Sequence, residues 1–162
     1  ITYRSYLRSI KINKAFEVDW ISGACMAIKR EVYLQTNGFN QEYHIYNEDV
    51  DWCRRIQGHG WKIYCCPNIK VTHIQGVSTH RNYFKLIANR YKSKRIYAKT
   101  YFSVFQYFFL HIVVILGLSL RVISLPFRIT HKPGERIERL KGYLYSFLIW
   151  IGIIELKNVV KP

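Results

Sequence analysis

The sequence predicts an α/β fold followed by C-terminal helices that meet a membrane. Three observations carry this. Residues 1–80 alternate strand-like and helix-like stretches and hold 10 basic and 7 acidic residues, an ordinary globular balance. Residues 81–100 hold seven basic residues and no acid: Arg81, Lys85, Arg90, Lys92, Lys94, Arg95 and Lys99. Residues 101–120 hold no charge of either sign. The chain has 162 residues and a formal net charge of +15, which suits one domain, or one domain plus an appendage. Hydrophobic residues are 49% and aromatics 16%, a composition that excludes disorder.

The elements follow in order. Val18–Ile28 is apolar with Gly23 inside it, and reads as a mostly buried strand approached closely at the glycine. Lys29–Asn37 reads as a short helix stopped by Gly38. Phe39–Asn47 is a polar, aromatic loop. Glu48–Gln57 reads as a helix with acids at its front and arginines at its back, as the helix dipole prefers. Asp51 stands three and four residues before Arg54 and Arg55, at ion-pair spacing. Trp61–Cys66 is a short strand closed by Pro67, Ile69–Ile74 alternates as a strand does, and Gln75–His80 is a polar loop. Over Asn82–Thr100, Tyr83, Leu86, Ile87, Tyr91 and Ala98 share one helical face, opposite Arg81, Lys85, Lys92 and Lys99. A basic amphipathic helix beside an apolar run is a membrane-surface signature.

Tyr101–Leu120 would be about 30 Å long as a helix, matching a hydrocarbon core. A chain this short has little protein to wrap such a helix on all sides, which favours a membrane setting over a buried core. The expected organisation is a globular region over residues 1–80, a basic helix 81–100, a membrane helix 101–127, a basic connector 128–142 and a second apolar segment 143–162. The second run, Tyr143–Ile154, has 12 residues, fewer than the roughly 17 that span a bilayer. Two pictures fit: a true span with a basic far side, or a hairpin or interfacial segment with both ends cytoplasmic. The run 81–99 is expected to stay on the cytoplasmic side of the cell membrane.

The composition also excludes other classes. Cys25, Cys53, Cys65 and Cys66 form no CxxC pair and no zinc pattern, so they are expected to be reduced, mostly buried thiols. The positive charge gathers beside the apolar run instead of across the globular region, and no nucleic-acid-binding motif appears; nucleic acid is not expected as a partner. The chain begins at Ile1 with no charged-then-apolar leader, and is expected to be the later portion of a longer protein.

The chemistry concentrates at Glu48-Asp49-Val50-Asp51, the densest carboxylate group in a basic chain. Acids at a helix start are ordinarily caps. Here they follow Phe39–Tyr46, whose aromatic and polar side chains have the texture of a wall around a sugar-like ligand. A carboxylate at the mouth of such a loop can accept a proton from a hydroxyl nucleophile. His73 ends a predicted strand. His44, His59, His80, His111 and His131 show no ligand spacing among themselves, so metal binding by His73 requires carboxylates from elsewhere.

Residues 18–81 resemble the C-terminal half of family 2 glycosyltransferases with the GT-A fold, and within them bacterial rhamnosyltransferase-like members. The ordered set carries the resemblance. Trp20-Ile21-Ser22-Gly23-Ala24 leads into a helix begun by Arg30. Gly38-Phe39-Asn40 leads to Glu48-Asp49-Val50-Asp51. Gly60-Trp61 leads to a strand and Pro67, and a strand ends at His73 before a Ser/Thr-containing loop.

The resemblance implies an inverting transferase that moves a sugar from a nucleotide-sugar donor to a glycan or lipid-linked acceptor at a membrane. Asp49 matches the general base and Glu48 a group that orients the acceptor or supports that base. Asp19 and Trp20 would line the acceptor side, and Gly23 matches the backbone lying against the donor sugar. His73 matches one ligand of a divalent metal, Mg or Mn, and Ser78 and Arg81 fall in a segment that closes over the diphosphate. The family's acidic D-x-D motif has no counterpart before the Glu48-Asp49 cluster; Glu17-Val18-Asp19 sits on the wrong element. The chain alone is therefore expected to be inactive. The alternative is a non-catalytic, membrane-bound remnant that docks on a partner protein.

Overall fold

A computed structural model describes residues 14–73, 82–127 and 133–154. They form two compact units, one of residues 14–40 and 48–73 and one of residues 41–47, 82–127 and 133–154. Ser78 and Arg81 lie outside the described residues.

In the first unit, β1 (Phe16–Glu17) pairs antiparallel with β2 (Tyr64–Cys65), Phe16 opposite Cys65 and Glu17 opposite Tyr64. Helix α1 (Arg30–Thr36) ends where Asn37 and Gly38 turn left-handed at φ 55° and 67°. Gly38 is required there twice over: a Cβ would also meet the Tyr33 ring at 2.8 Å. Helix α2 (Glu48–Gly58) starts with Glu48, Asp49 and Asp51 in its first turn and carries Arg55 in its last, the predicted polarity. Apolar side chains at helical spacing on α1 and α2 meet the β2 region in a core of Val32, Trp52, Cys53, Ile56 and Ile63, with Val18, Ile21, Met26, Ile28 and Trp61 at its edge.

Polar bonds lock this core. The Trp52 indole N–H donates to the Thr36 hydroxyl at 2.7 Å, and that hydroxyl donates to the Val32 carbonyl at 2.7 Å. Asp51 is almost fully buried and pairs with Arg55 at 2.9 Å. The same guanidinium donates to the Thr36 and Gly38 carbonyls, the latter at 2.6 Å. The orphan carbonyls at the end of α1 are thus capped from α2.

Three expectations are corrected here. Residues 18–28 are a loop instead of a buried strand, with Ser22–Cys25 exposed. Residues 69–73 carry no strand, and Ile69 and Val71 are exposed. Both stretches have strand-like composition, yet a strand exists only beside a partner, and the described residues supply one only for β1 and β2. Of the four thiols, Cys53 alone is buried; Cys25 and Cys66 are exposed.

The second unit is built from α3 (Tyr83–Tyr101), α4 (Val104–Ser124), a 3-10 turn (Leu125–Phe127) and α5 (Pro133–Trp150). Asn82 caps α3 by accepting from the Lys85 N–H at 2.9 Å. The chain breaks at Phe102, and Ser103 with Gln106 forms a reciprocal capping box that starts α4. The uncharged run is therefore split between two helices, with the long apolar one beginning at Val104. Ile87, Val114, Leu118, Leu125, Tyr143, Ile149 and Trp150 form the core. Gly142 lets α3 and α5 approach closely: a Cβ there would lie 2.9 Å from the Cβ of Ile87. Arg95 ties the bundle by donating to the Tyr107 hydroxyl and the Ile149 carbonyl.

The described part of the expected connector 128–142 and, as far as Trp150, of the apolar segment 143–162 belongs to α5. Residues 133–150 form one continuous helix. The ion pairs Glu135–Arg139 at 2.7 Å and Glu138–Lys141 at 3.3 Å carry it through its charged first half. Among the described residues, one helix, Val104–Phe127, is long and apolar enough to cross a membrane. Its outer face exposes Phe105, Phe109, Val113, Leu116, Leu120 and Ile123.

Candidate active site

The site assembles at the start of α2. Consecutive left-handed residues, Tyr46 and Asn47, both at φ 67°, precede the helix. Asn tolerates this region; a Tyr there costs roughly 1–2 kcal/mol. Glu48, Asp49 and Asp51 then gather at the positive end of the helix dipole, where negative charge is stabilised.

The structure gives the three carboxylates different tasks. Asp51 turns inward to Arg55 and is structural. Asp49 turns to the loop that precedes α1: its Oδ2 accepts the Gly23 N–H at 3.0 Å, and its Oδ1 accepts the Val50 N–H at 2.9 Å. Both oxygens are thereby oriented while each keeps a further lone-pair direction. Glu48 is half-buried, and its Oε2 is buried with no hydrogen-bond partner among the described residues. Burial first, and the neighbouring Asp49 charge after it, push the Glu48 carboxyl above its ordinary value.

Gly23 sits against Asp49 and Phe39; a Cβ placed on it would lie 3.6 Å from the Asp49 Cβ and 3.6 Å from the Phe39 ring. The structure thus joins two of the predicted positions, Gly23 and Asp49, which are 26 residues apart in sequence. Cys53 supports the same loop through a long contact at 3.9 Å with the Ile21 carbonyl. Asp19 and Trp20 lie exposed on that loop, Trp20 with half its surface open. His73 is exposed at the end of the described first unit.

The aromatic wall expected over Phe39–Tyr46 is mostly spent on packing. The Phe39 ring meets Trp52 edge-on at 4.6 Å, Tyr43 is buried, and Tyr46 carries the Arg90 guanidinium 4.7 Å from its ring centre. An open depression of about 420 Å³ lies at the α1–α2 junction, lined by Thr36, Gly38, Asn40, Arg55 and His59, and includes neither Asp49 nor Gly23. Sequence reasoning missed it because backbone carbonyls and a capping arginine shape it. Among the described residues, no group of three or more His, Cys, Asp or Glu side chains could hold a metal ion. His73 is one donor, and one donor is not a site.

The family model for "Glycosyltransferase like family 2" matches residues 2–93, more than half of the chain. The N-acetylglucosaminyl-diphospho-decaprenol L-rhamnosyltransferase of Mycobacterium tuberculosis is 35% identical over 80 residues, covering 49% of this chain and 26% of that protein. Rhamnosyltransferase WbbL of Escherichia coli strain K12 is 34% identical over 56 residues, covering 35% of this chain and 21% of that protein. The chain thus spans about a quarter of the length of these relatives. No solved structure matches. The family implies the GT-A fold and sugar transfer, as the motifs of residues 18–81 led us to expect, and the chain belongs to the glycosyltransferases of the family 2 type.

Proposed function

We propose that this chain is the acceptor-side portion of an inverting, membrane-associated glycosyltransferase, rhamnosyltransferase-like, with Asp49 as general base. The observation that supports it most is the Gly23 N–H to Asp49 bond, which holds the carboxylate against the loop that lines the sugar in this family. In the step, Asp49 takes the proton of the acceptor hydroxyl. The freed oxygen attacks the anomeric carbon of the donor sugar from the opposite face. The bond to the nucleotide diphosphate breaks, and its electron pair leaves on the diphosphate. Glu48, partly desolvated beside Asp49, orients the acceptor, and the exposed Trp20 and Asp19 supply an aromatic face and a hydrogen-bond acceptor for a sugar. Ser78 and Arg81 are assigned to the diphosphate side, and His73 contributes one ligand to a Mg or Mn ion completed by groups outside the described residues. The described donors do not fit a metal by themselves, and no step for Asp49 is routed through one.

The catalytic region, residues 1–80, lies on the cytoplasmic side of the cell membrane. The apolar outer face of α4 meets lipid. Its inner face packs on a bundle whose other helices carry Arg90, Lys94, Arg95 and Arg139. Threading the bundle through hydrocarbon would bury charges at about 2.5–3.5 kcal/mol each, so α4 lies in the interface plane. The acceptor is a lipid-linked glycan, by similarity to the decaprenol-linked substrate in the mycobacterial relative's name.

Alone, the 162-residue chain is expected to transfer no sugar; detectable transfer contradicts the proposal. With a D-x-D-bearing donor half supplied, Asp49→Asn is expected to lower turnover by about 10²–10⁴ with donor binding intact. Unchanged turnover assigns the chain to a non-catalytic membrane adaptor instead.

A further inference from the structure

The loop that precedes α2 is held by α3. Residues 41–47 group with the helical unit, and the chain enters α2 at the next residue, Glu48. A hydroxyl on a helix ordinarily returns to the carbonyl four residues back, as those of Thr36, Thr100, Ser119 and Ser146 do. Ser93 on α3 departs from this. It is fully buried, and its hydroxyl donates instead to the Ile45 carbonyl at 2.8 Å, 48 residues away in sequence. Three residues earlier, on the same helical face, Arg90 lays its guanidinium 4.7 Å from the Tyr46 ring centre. Tyr43, near the start of the same loop, is buried.

The backbone beside these contacts is strained. Tyr46 and Asn47 are both left-handed at φ 67°, a region that an aromatic residue rarely occupies. Such a conformation persists only where its surroundings over-determine it. Return of Tyr46 to the right-handed or extended region would rotate its φ by more than about 100°. Asp49 stands three residues further on. Its Oδ2 meets the Gly23 N–H at 3.0 Å, and a shift of about 1 Å would end that bond. We propose that Ser93 and Arg90 are positioning residues for Asp49: they hold the left-handed pair Tyr46-Asn47, and that pair sets the first turn of α2, from which Asp49 reaches Gly23. This rests on the base role given to Asp49 above and adds what keeps the carboxylate in place.

The test is amide hydrogen exchange of the whole chain in detergent micelles, read residue by residue by NMR. Asp49→Ala sets the exchange rate of an unbonded Gly23 N–H, and wild type is expected to exchange there at least about fivefold more slowly. Ser93→Ala is expected to speed Gly23 exchange about fivefold, the scale of one hydrogen bond. Arg90→Met is expected to speed it about threefold, and Arg90→Lys, which keeps a cation for the Tyr46 ring, less than about twofold. The double variant Ser93→Ala, Arg90→Met should approach the rate of Asp49→Ala, with helix content unchanged by circular dichroism. The Trp61 N–H, which donates to the Ile56 carbonyl at 3.3 Å in the first unit, is the control and should keep its wild-type rate in every variant. Lys94→Gln, one residue beyond Ser93 and exposed, should change neither amide. Gly23 exchange that stays at the wild-type rate in the double variant overturns the proposal. Equal acceleration of Gly23 and Trp61 also overturns it, because a general loss of stability moves both. A wild-type Gly23 rate equal to that of Asp49→Ala does the same. No sugar transfer is measured, so failure here leaves the base role of Asp49 standing, and loss of that role leaves this result standing.

Discussion

Asp51 and Arg55 offer the sharpest test of how the first unit is held together. The Asp51 side chain is 2% exposed and that of Arg55 27% exposed, with 2.9 Å between them. Removing Arg55 takes the ion-pair cation from a buried carboxylate and deprives the Thr36 and Gly38 carbonyls of a donor. Breaking a buried pair from one side costs about 3–5 kcal/mol. Partial exposure of Arg55 places Arg55→Met near the lower end, about 3 kcal/mol. Asp51→Asn keeps an acceptor and leaves an arginine that water can reach, so about 1–2 kcal/mol is expected. Urea unfolding in mild detergent, followed by fluorescence of the buried Trp52, reads both. At a slope of about 1.5–2 kcal/mol/M, Arg55→Met lowers the midpoint by about 1.5–2 M. Losses below about 1 kcal/mol for both variants, or a larger loss for Asp51→Asn, would refute the capping role of Arg55.

Three further outcomes are expected. Gly142→Ala forces its Cβ against Ile87 and should destabilise the bundle by about 1–3 kcal/mol, less the roughly 0.5–1 kcal/mol that alanine returns in a helix; thermal unfolding by circular dichroism reads it. The folded-state value of Glu48 lies above its ordinary 4.5, so its contribution to stability is present below pH 4.5 and is lost as pH rises through the folded value. Glu48→Gln should therefore flatten the stability profile from pH 4.5 upward and unfold at higher denaturant near neutral pH, as a denaturation series across pH would show. Val113→Glu, on the exposed face of α4, should weaken vesicle binding more than tenfold, whereas Lys99→Gln should not.

What the sequence made legible was local. The helix over 48–58 follows from its charge order and from the glycines after it. The left-handed stop at Asn37-Gly38 follows from residue type. The E-D-x-D turn drew attention to the start of α2, but not to how its carboxylates divide their contacts. Asp49 and Asp51 are the same residue type two positions apart, and only packing shows that one meets Gly23 and the other Arg55. The strands misread at 18–28 and 69–73 have suitable composition, and strand pairing is a non-local event that composition does not contain. Phe39, Tyr43 and Tyr46 looked like ligand-binding aromatics because exposure cannot be read from residue type; two of them are claimed by Trp52 and Arg90. The helix break at Phe102 was hidden inside an apolar run, although Ser103 and Gln106 have the spacing of a capping box.

The proton-accepting role of Asp49 is tested most directly by changing the acceptor instead of the protein. A thiol analogue of the acceptor hydroxyl ionises near pH 8.5 and needs little help from a base. With a donor half supplied, Asp49→Asn is expected to lose about 10²–10⁴ in rate with the hydroxyl acceptor and less than about tenfold with the thiol. Equal losses with both acceptors would show that Asp49 positions the substrate without taking its proton.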